Sequence, residues 1–264
     1  MNKESRLPGL AAWGRVRDYR RGQIAKMNNV QTYLDSHMSA ASVLELGFER
    51  VVLATGCHWR KDGIGRSNAF PIVGLENATV FSPNDIMDGN LPTDGPVLVY
   101  DDDMFYMAGV LAERLVKAGL EVVYVTPGDT ASSWTVHTLE LDAINKRLRT
   151  LGVKVITAST LLGVRDGVAE LAPNYGETSQ RLAIGAVVPV TSCLPEDSLF
   201  HELMGDEEAI KVAGIKSITR IGDCLAPGPI AYAVYAGHRY ARELDTNDTA
   251  AVKFRRPLPY MTTP

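Results

Sequence analysis

Between Pro96 and Thr126 the spacing of apolar positions changes twice. Val97, Leu98, Val99 and Tyr100 form a continuous apolar run, too short for a helix and rich in β-formers, as in a strand buried on both faces. From Met107 to Ala118 the apolar residues Val110, Leu111, Leu115 and Val116 recur at helical spacing, and Gly119 follows where a helix would stop. Val122, Val123, Tyr124 and Val125 make a second continuous run. The pattern predicts strand, crossover helix and parallel strand, the start of a doubly wound sheet that normally carries a dinucleotide at its first turn.

The rest of the chain predicts elements of the same kind. A helix is expected over Ala11–Met27 and a second over Ser39–Leu46, with Ser39 as its N-cap. Phe48–Gly56 holds a buried-type strand at Val51, Val52 and Leu53 that ends in the small residues Ala54, Thr55 and Gly56. The stretch from Cys57 to Pro96 is rich in proline and glycine and reads as a crossing between domains, with one short helix over Pro83–Met87 behind Ser82. A polar loop with Ser132, Ser133 and Trp134 precedes a helix over Val136–Thr150 and a strand at Val153–Ile156. Leu161–Leu171 reads as an arm of a hairpin or meander, and Arg181–Val190 as strand turning at Gly185. Ile215–Asp223 is a strand ending in Gly222 and Asp223, followed by a helix over Ile230–Leu244 and an irregular arm from Asn247 to Pro264.

The first turn of the central unit departs from the chemistry its position suggests. A dinucleotide turn reads G-x-G-x-x-G, because glycines let the backbone approach a pyrophosphate and let the helix start aim free N–H groups at it. Here Asp101, Asp102 and Asp103 precede Met104, Phe105 and Tyr106, and the next glycine is Gly109. Three carboxylates would face two phosphates, so the expectation is a dinucleotide fold with a closed pocket, its aspartates capping the helix or facing water.

Composition bounds the remaining possibilities. A chain of 264 residues and 28.7 kDa, 45% hydrophobic and 22% charged, has material for one large or two modest globular domains. The net charge of −4 argues against nucleic acid, and the nearest thing to a basic stripe, Arg15–Arg21, also carries Asp18 and Tyr19 and reads as a solvated helix face. No apolar run approaches the roughly 20 residues of a membrane span, and MNKESRLPG lacks the apolar core of a signal peptide, so the cytoplasm is the expected location. Cys57, Cys193 and Cys224 are scattered, as are the histidines, so neither a disulfide framework nor a metal site is expected.

Candidate chemistry lies at two strand ends. Small residues such as Ala54, Thr55 and Gly56 suit the carboxyl end of a parallel strand that a cofactor or another backbone passes closely. Asp223, at a strand end before a helix opened by Gly228 and Pro229, can take a ribose or ribityl hydroxyl while the helix start takes a phosphate; it can equally serve as a capping carboxylate.

The order A-T-G, dinucleotide-type unit, I-G-D resembles the two-dinucleotide-domain flavoproteins of the glutathione reductase type. More narrowly, LPGLAAWGRVRDYRRGQI, VVLATGCHWRKDGIGR, FSPNDIMDGNLP, the D-D-D unit and RIGDCLAPGPIAYAVYAGHRYARELD resemble the C-terminal portion of the trimethylamine, dimethylamine and histamine dehydrogenase family, with its N-methylproline demethylase relatives. The resemblance runs to about Asp245. It implies an α/β fold with Rossmann-like parallel sheets in two interleaved dinucleotide-binding-type domains. Residues 1–92 and 185–264 would form an FAD/ADP-binding-type domain incomplete at its N-terminus, and 93–184 an inserted NAD-binding-type domain with a degenerate cofactor turn.

The same resemblance implies a parent with an upstream barrel domain or subunit carrying FMN and a segment holding a 4Fe–4S cluster, so that the present chain is expected to be a fragment or separate subunit with no catalytic residue and no metal ligand of its own. Ala54, Thr55, Gly56, Gly222 and Asp223 would then line a site for FAD or ADP, bound weakly or not at all because the glycine turn contributing most pyrophosphate contacts is missing, each charged hydrogen bond being worth roughly 1.5–3 kcal/mol. The implied activity of the parent is oxidative demethylation or deamination of a small amine, with electrons passed to an electron-transfer flavoprotein. A non-catalytic nucleotide-binding or assembly module is the alternative, and an NAD(P)H-dependent FAD reductase a third, disfavoured by the acidic turn. An uncovered sheet edge would favour a homodimer.

Overall fold

The structure, a computed structural model, describes residues 2–176 and 178–244, so the arm expected over Asn247–Pro264 lies outside the described residues. In chain order its elements are α1 (Gly14–Ile24), α2 (Ala40–Leu46), β1 (Arg50–Leu53), β2 (Cys57–Trp59), α3 (Pro83–Asp88), β3 (Val97–Asp101), α4 (Tyr106–Lys117), β4 (Val122–Val125), α5 (Leu141–Thr150) and β5 (Lys154–Ile156). There follow β6 (Ser159–Arg165), β7 (Val168–Pro173), β8 (Gln180–Ala183), β9 (Ala186–Val190), β10 (Cys193–Pro195), α6 (Ser198–Met204), α7 (Glu207–Val212), β11 (Ser217–Arg220) and α8 (Ile230–Glu243).

The chain divides into two compact units, Met1–His37 with His58–Leu194, and Met38–Cys57 with Pro195–Pro264. These boundaries lie outside the 93–184 insert expected from the sequence. The reason is that β9 pairs with β3 along its whole length and Val80 bridges Val187, which draws both 185–190 and the stretch before β3 into the inserted unit. The two-stranded pair of β2 and β10 carries the chain from one unit to the other and back.

The larger unit is built on a parallel sheet in the order β5-β4-β3-β9. All residues of β3, β4 and β9 are buried, which is why their sequences run apolar without alternation. Within β3 the period of two sorts the side chains: Val97 and Val99 pack with Met107, Leu111, Leu115 and Leu148 of α4 and α5 on one face, while Leu98 and Tyr100 meet Leu161, Val164, Ala169 and Leu171 of an antiparallel β6–β7–β8 meander on the other. Glu113 of α4, almost fully buried, is held between Arg147 of α5 (Nε at 3.0 Å) and Lys117 one turn on (2.6 Å).

The second unit is smaller. Parallel strands β1 and β11 pair from Arg50↔Ser217 to Leu53↔Arg220, over a core of Ala40, Val43, Leu53, Leu203, Ile215 and Cys224. Ser39 caps α2, its Oγ accepting the Ser42 N–H at 3.2 Å. In the same way Ser82 and Asp85 form a capping box at α3.

Two features differ from expectation. The helix predicted over Val136–Thr150 begins only at Leu141: Ser133–Thr138 is a 3-10 turn closed by Leu139 with φ +62°, a left-handed residue that ends any helix. Helices α6 and α7 were not predicted, since seven and six residues are too short to show a helical period. No helix among the described residues is long and apolar enough to cross a membrane.

The core arrangement predicts that Leu111→Ala, at a fully buried position between α4 and the sheet, lowers stability by about 2–5 kcal/mol, whereas Leu139→Ala, 92% exposed, changes it little. Urea denaturation of both variants checks this; equal midpoints would contradict the packing.

Candidate functional site

At the carboxyl end of β3 the position of a dinucleotide turn is occupied by the protein itself. Asp101 and Asp102 are fully buried, so these two do not face water, and neither caps α4, whose N-cap Phe105 makes no side-chain cap; Asp103 stays partly exposed and accepts the Phe105 N–H at the helix start. Asp101 Oδ1 accepts the Met104 N–H at 2.8 Å, and Oδ2 accepts the Tyr124 hydroxyl and the Ser132 N–H. The Thr126 hydroxyl donates to the Asp101 carbonyl at 2.8 Å. One backbone donor of the turn, the Met104 N–H, is thereby spent on an internal carboxylate.

Asp102 faces the other way and fastens a loop. Its two oxygens accept the Ser67 N–H (2.8 Å) and the Ser67 hydroxyl (2.7 Å). The approach is so close that a Cβ on Gly65 would stand 2.4 Å from Asp102 Oδ2, which makes Gly65 a steric requirement. Asn68 accepts from the buried Tyr100 hydroxyl at 2.9 Å, and Arg66 lies over the Trp134 ring at 5.0 Å. The segment 65–68 thus fills the crevice where a cofactor would enter.

Burial sets the electrostatics. It pushes Asp101 up to about 7, with the Tyr124 hydroxyl and Met104 N–H pulling it back and the Asp103 charge adding to the rise. Asp103 is pushed up to about 6 by burial against the opposing pull of Arg66. Tyr124 is raised well above its ordinary value by burial and by Asp101. With the 65–68 loop fastened to Asp102, the turn presents carboxyl groups where a dinucleotide fold presents backbone N–H groups.

The five residues expected to line a nucleotide site all lie in the second unit. Since β1 and β11 run parallel in register, their carboxyl ends adjoin, and the Ile221 N–H donates to the Leu53 carbonyl at 3.0 Å. Ala54, Thr55 and Gly56 therefore leave the sheet beside Gly222 and Asp223. Gly56 has φ +88° with open space where a Cβ would stand, and Gly222 has φ +63°. Thr55 donates its hydroxyl to the Glu196 carbonyl, and the Glu196 N–H returns to the Gly56 carbonyl at 2.9 Å. Asp223 accepts the Gly228 N–H at 3.2 Å and so braces the loop before α8. Small residues, an acid and a helix start meet at one sheet end, as an adenine-nucleotide or flavin ribityl site requires. Among the described residues no cluster of three or more His, Cys, Asp or Glu is placed to hold a metal.

Two groups were missed. The loop 65–68 shows no period and no motif, and only its pairing with Asp102, distant in sequence, reveals its role. Asp197 and Arg220, which pair at the strand ends of the second unit, likewise carry no local signal.

With this geometry in place, comparison with known proteins decides how far the resemblance holds. Residues 81–193 match the family model described as the OYE-like second alpha/beta domain. That OYE-like second domain covers β3, α4, β4 and the meander through β9. Over 94% of its length the chain is 30% identical to dimethylamine dehydrogenase of Hyphomicrobium sp. (strain x), spanning 37% of that protein. The solved histamine dehydrogenase of Rhizobium sp. 4-9 is 46% identical over 97% of the chain, with a TM-score of 0.93, across 40% of that structure. The 6-hydroxypseudooxynicotine amine oxidase of Pseudomonas geniculata N1 is 39% identical over 92%, with a TM-score of 0.88, across 36% of its chain. The chain is thus homologous to amine-oxidising enzymes and spans less than half the length of each.

Two measurements follow from the closed turn. NADH titrated against the protein should give no saturable fluorescence signal, and a clear micromolar isotherm would contradict the occupied crevice. Asp101, raised from 3.8 to about 7 in the fold, favours folding while protonated, an advantage full below about pH 4 and lost as pH rises towards 7. Relative to Asp101→Asn, the wild type should therefore lose stability between pH 4 and 8, up to roughly 4 kcal/mol at 1.36 kcal/mol per pH unit; a difference in urea midpoint that stays constant over this range would refute the assignment.

Proposed function

We propose that this chain is the nucleotide-binding, electron-transfer-side portion of an iron–sulfur flavoprotein amine dehydrogenase and carries no catalytic residue of its own. The observation that supports it most is the 46% identity to histamine dehydrogenase over nearly the whole chain, which here matches only part of that enzyme. In this reading FMN, the 4Fe–4S cluster and the amine-binding pocket belong to an upstream barrel domain or subunit of a cytoplasmic parent, and an electron-transfer flavoprotein takes the electrons. In a glutathione reductase-type arrangement the unit of Met38–Cys57 and Pro195–Pro264 would be the adenine-nucleotide half, and the unit holding β3 a nicotinamide-type half without its ligand.

In this reading the adenine-nucleotide site is formed by Ala54, Thr55, Gly56, Gly222 and Asp223. The open, side-chain-free backbone at Gly56 fits the close passage of ADP or of the ADP half of FAD. Bound there, the nucleotide would supply a structural anchor. The closed β3 turn disfavours the NAD(P)H reductase alternative, because Asp101 takes the Met104 N–H and the 65–68 loop is fastened to Asp102 where a dinucleotide turn would receive its ligand.

The genomic sequence directly upstream should encode a barrel and a cysteine-rich cluster segment, and an unrelated gene behind a stop codon would sink the reading. The purified chain should be colourless near the flavin band at about 450 nm, because the residues present hold a flavin weakly.

A further inference from the structure

At the same sheet end, one cation has donors to spare. Arg220 is the last residue of β11 and stands opposite Leu53, directly before the Ala54–Gly56 turn. Its Nη1 donates to Asp197 Oδ2, and its guanidinium carbon lies 4.4 Å from the centre of the Phe200 ring. The stacking and the ion pair together fix the plane of the fork. Its Nε and Nη2 have no partner among the described residues, although the side chain is only 22% exposed. A half-buried guanidinium with two donor atoms left over calls for an acceptor.

The surroundings say which kind. Asp197 follows Glu196, the residue hydrogen-bonded on both sides to Thr55 and Gly56, so the guanidinium is anchored within a residue of the glycine turn. His201 Nε2 also approaches Asp197 Oδ2, at 3.2 Å, and competes for the oxygen that holds Arg220. Asp223 accepts the Gly228 N–H, and the acid paired with Arg220 among the described residues is Asp197. Gly56, three residues past the Leu53 that pairs with Arg220, leaves its backbone open.

We infer that Arg220 is a phosphate-binding residue of this sheet end, held in position by Asp197 and Phe200, and that it receives the phosphate of an adenine nucleotide through its unpartnered fork. The inference rests on the nucleotide reading above and adds the charged contact which the residues at Ala54–Gly56 and Gly222–Asp223 do not themselves provide. A planar fork suits two phosphate oxygens at once, a geometry that lysine cannot supply.

The test compares ADP with adenosine on the purified chain by isothermal titration, for the wild type, Arg220→Gln and Arg220→Lys. The wild type should bind ADP, in the millimolar range or tighter, and adenosine at least tenfold more weakly. Arg220→Gln should lose tenfold or more of the ADP affinity while leaving adenosine unchanged, and Arg220→Lys should fall between. A purely structural ion pair would shift the unfolding midpoint without separating the two ligands. Wild-type ADP binding that Arg220→Gln retains within twofold overturns the role of Arg220 alone. Absence of ADP binding by the wild type at millimolar concentration overturns the nucleotide site and this inference with it.

Discussion

The carboxylate of Asp102, buried against the backbone of Gly65 and Ser67, is the contact on which the larger unit depends. It sits at the end of the central strand β3, where a parallel sheet leaves its carboxyl-end crevice open. A buried charge without donors is costly, and here the 65–68 loop supplies them: an N–H and a hydroxyl, with a glycine that admits the oxygen at close range. Once this loop is seated, Arg66 reaches Trp134, Asn68 reaches Tyr100, and the segment around Ser132 is fastened by Asp101. A crevice that dinucleotide folds reserve for a ligand has become part of the core.

The two sheet ends therefore carry opposite chemistry. In the larger unit, donors at the end of β3 are turned inward onto carboxylates, and the crevice is filled. In the smaller unit, the ends of β1 and β11 present glycines, a braced acid and an arginine with spare donors. A shared plan of parallel strands does not entail a shared function; the side chains at the turn decide which end accepts a phosphate.

Much of this was legible in the residues. The continuous apolar runs at Val97–Tyr100 and Val122–Val125 announce doubly buried strands, and Ser39 and Ser82 announce helix starts, because each signal is local and strong. The helix break at Leu139 was hidden, since nothing in a leucine marks a left-handed backbone. The aspartates were legible as an obstacle to a cofactor, yet their burial was not: a run of three acids reads as solvated until Tyr124, Ser132 and Ser67 are brought to it from elsewhere in the chain. For the same reason the pairing of Asp197 with Arg220 escaped notice while the small residues at Ala54–Gly56 did not.

The paired strands β2 and β10 have a consequence for the order of assembly. Residues 38–57 and those after 195 make one core from chain ends separated by the entire larger unit. Joining β1 to β11 directly across so long a loop would carry a large closure cost before any contact repaid it. With the larger unit folded, β2 and β10 already lie side by side, and the loop that β1 and β11 must close shrinks to residues 54–56 on one side and 196–216, which hold α6 and α7, on the other. The smaller unit is thus expected to form second, templated by the larger one, and its strands to be the first to open when the protein breathes.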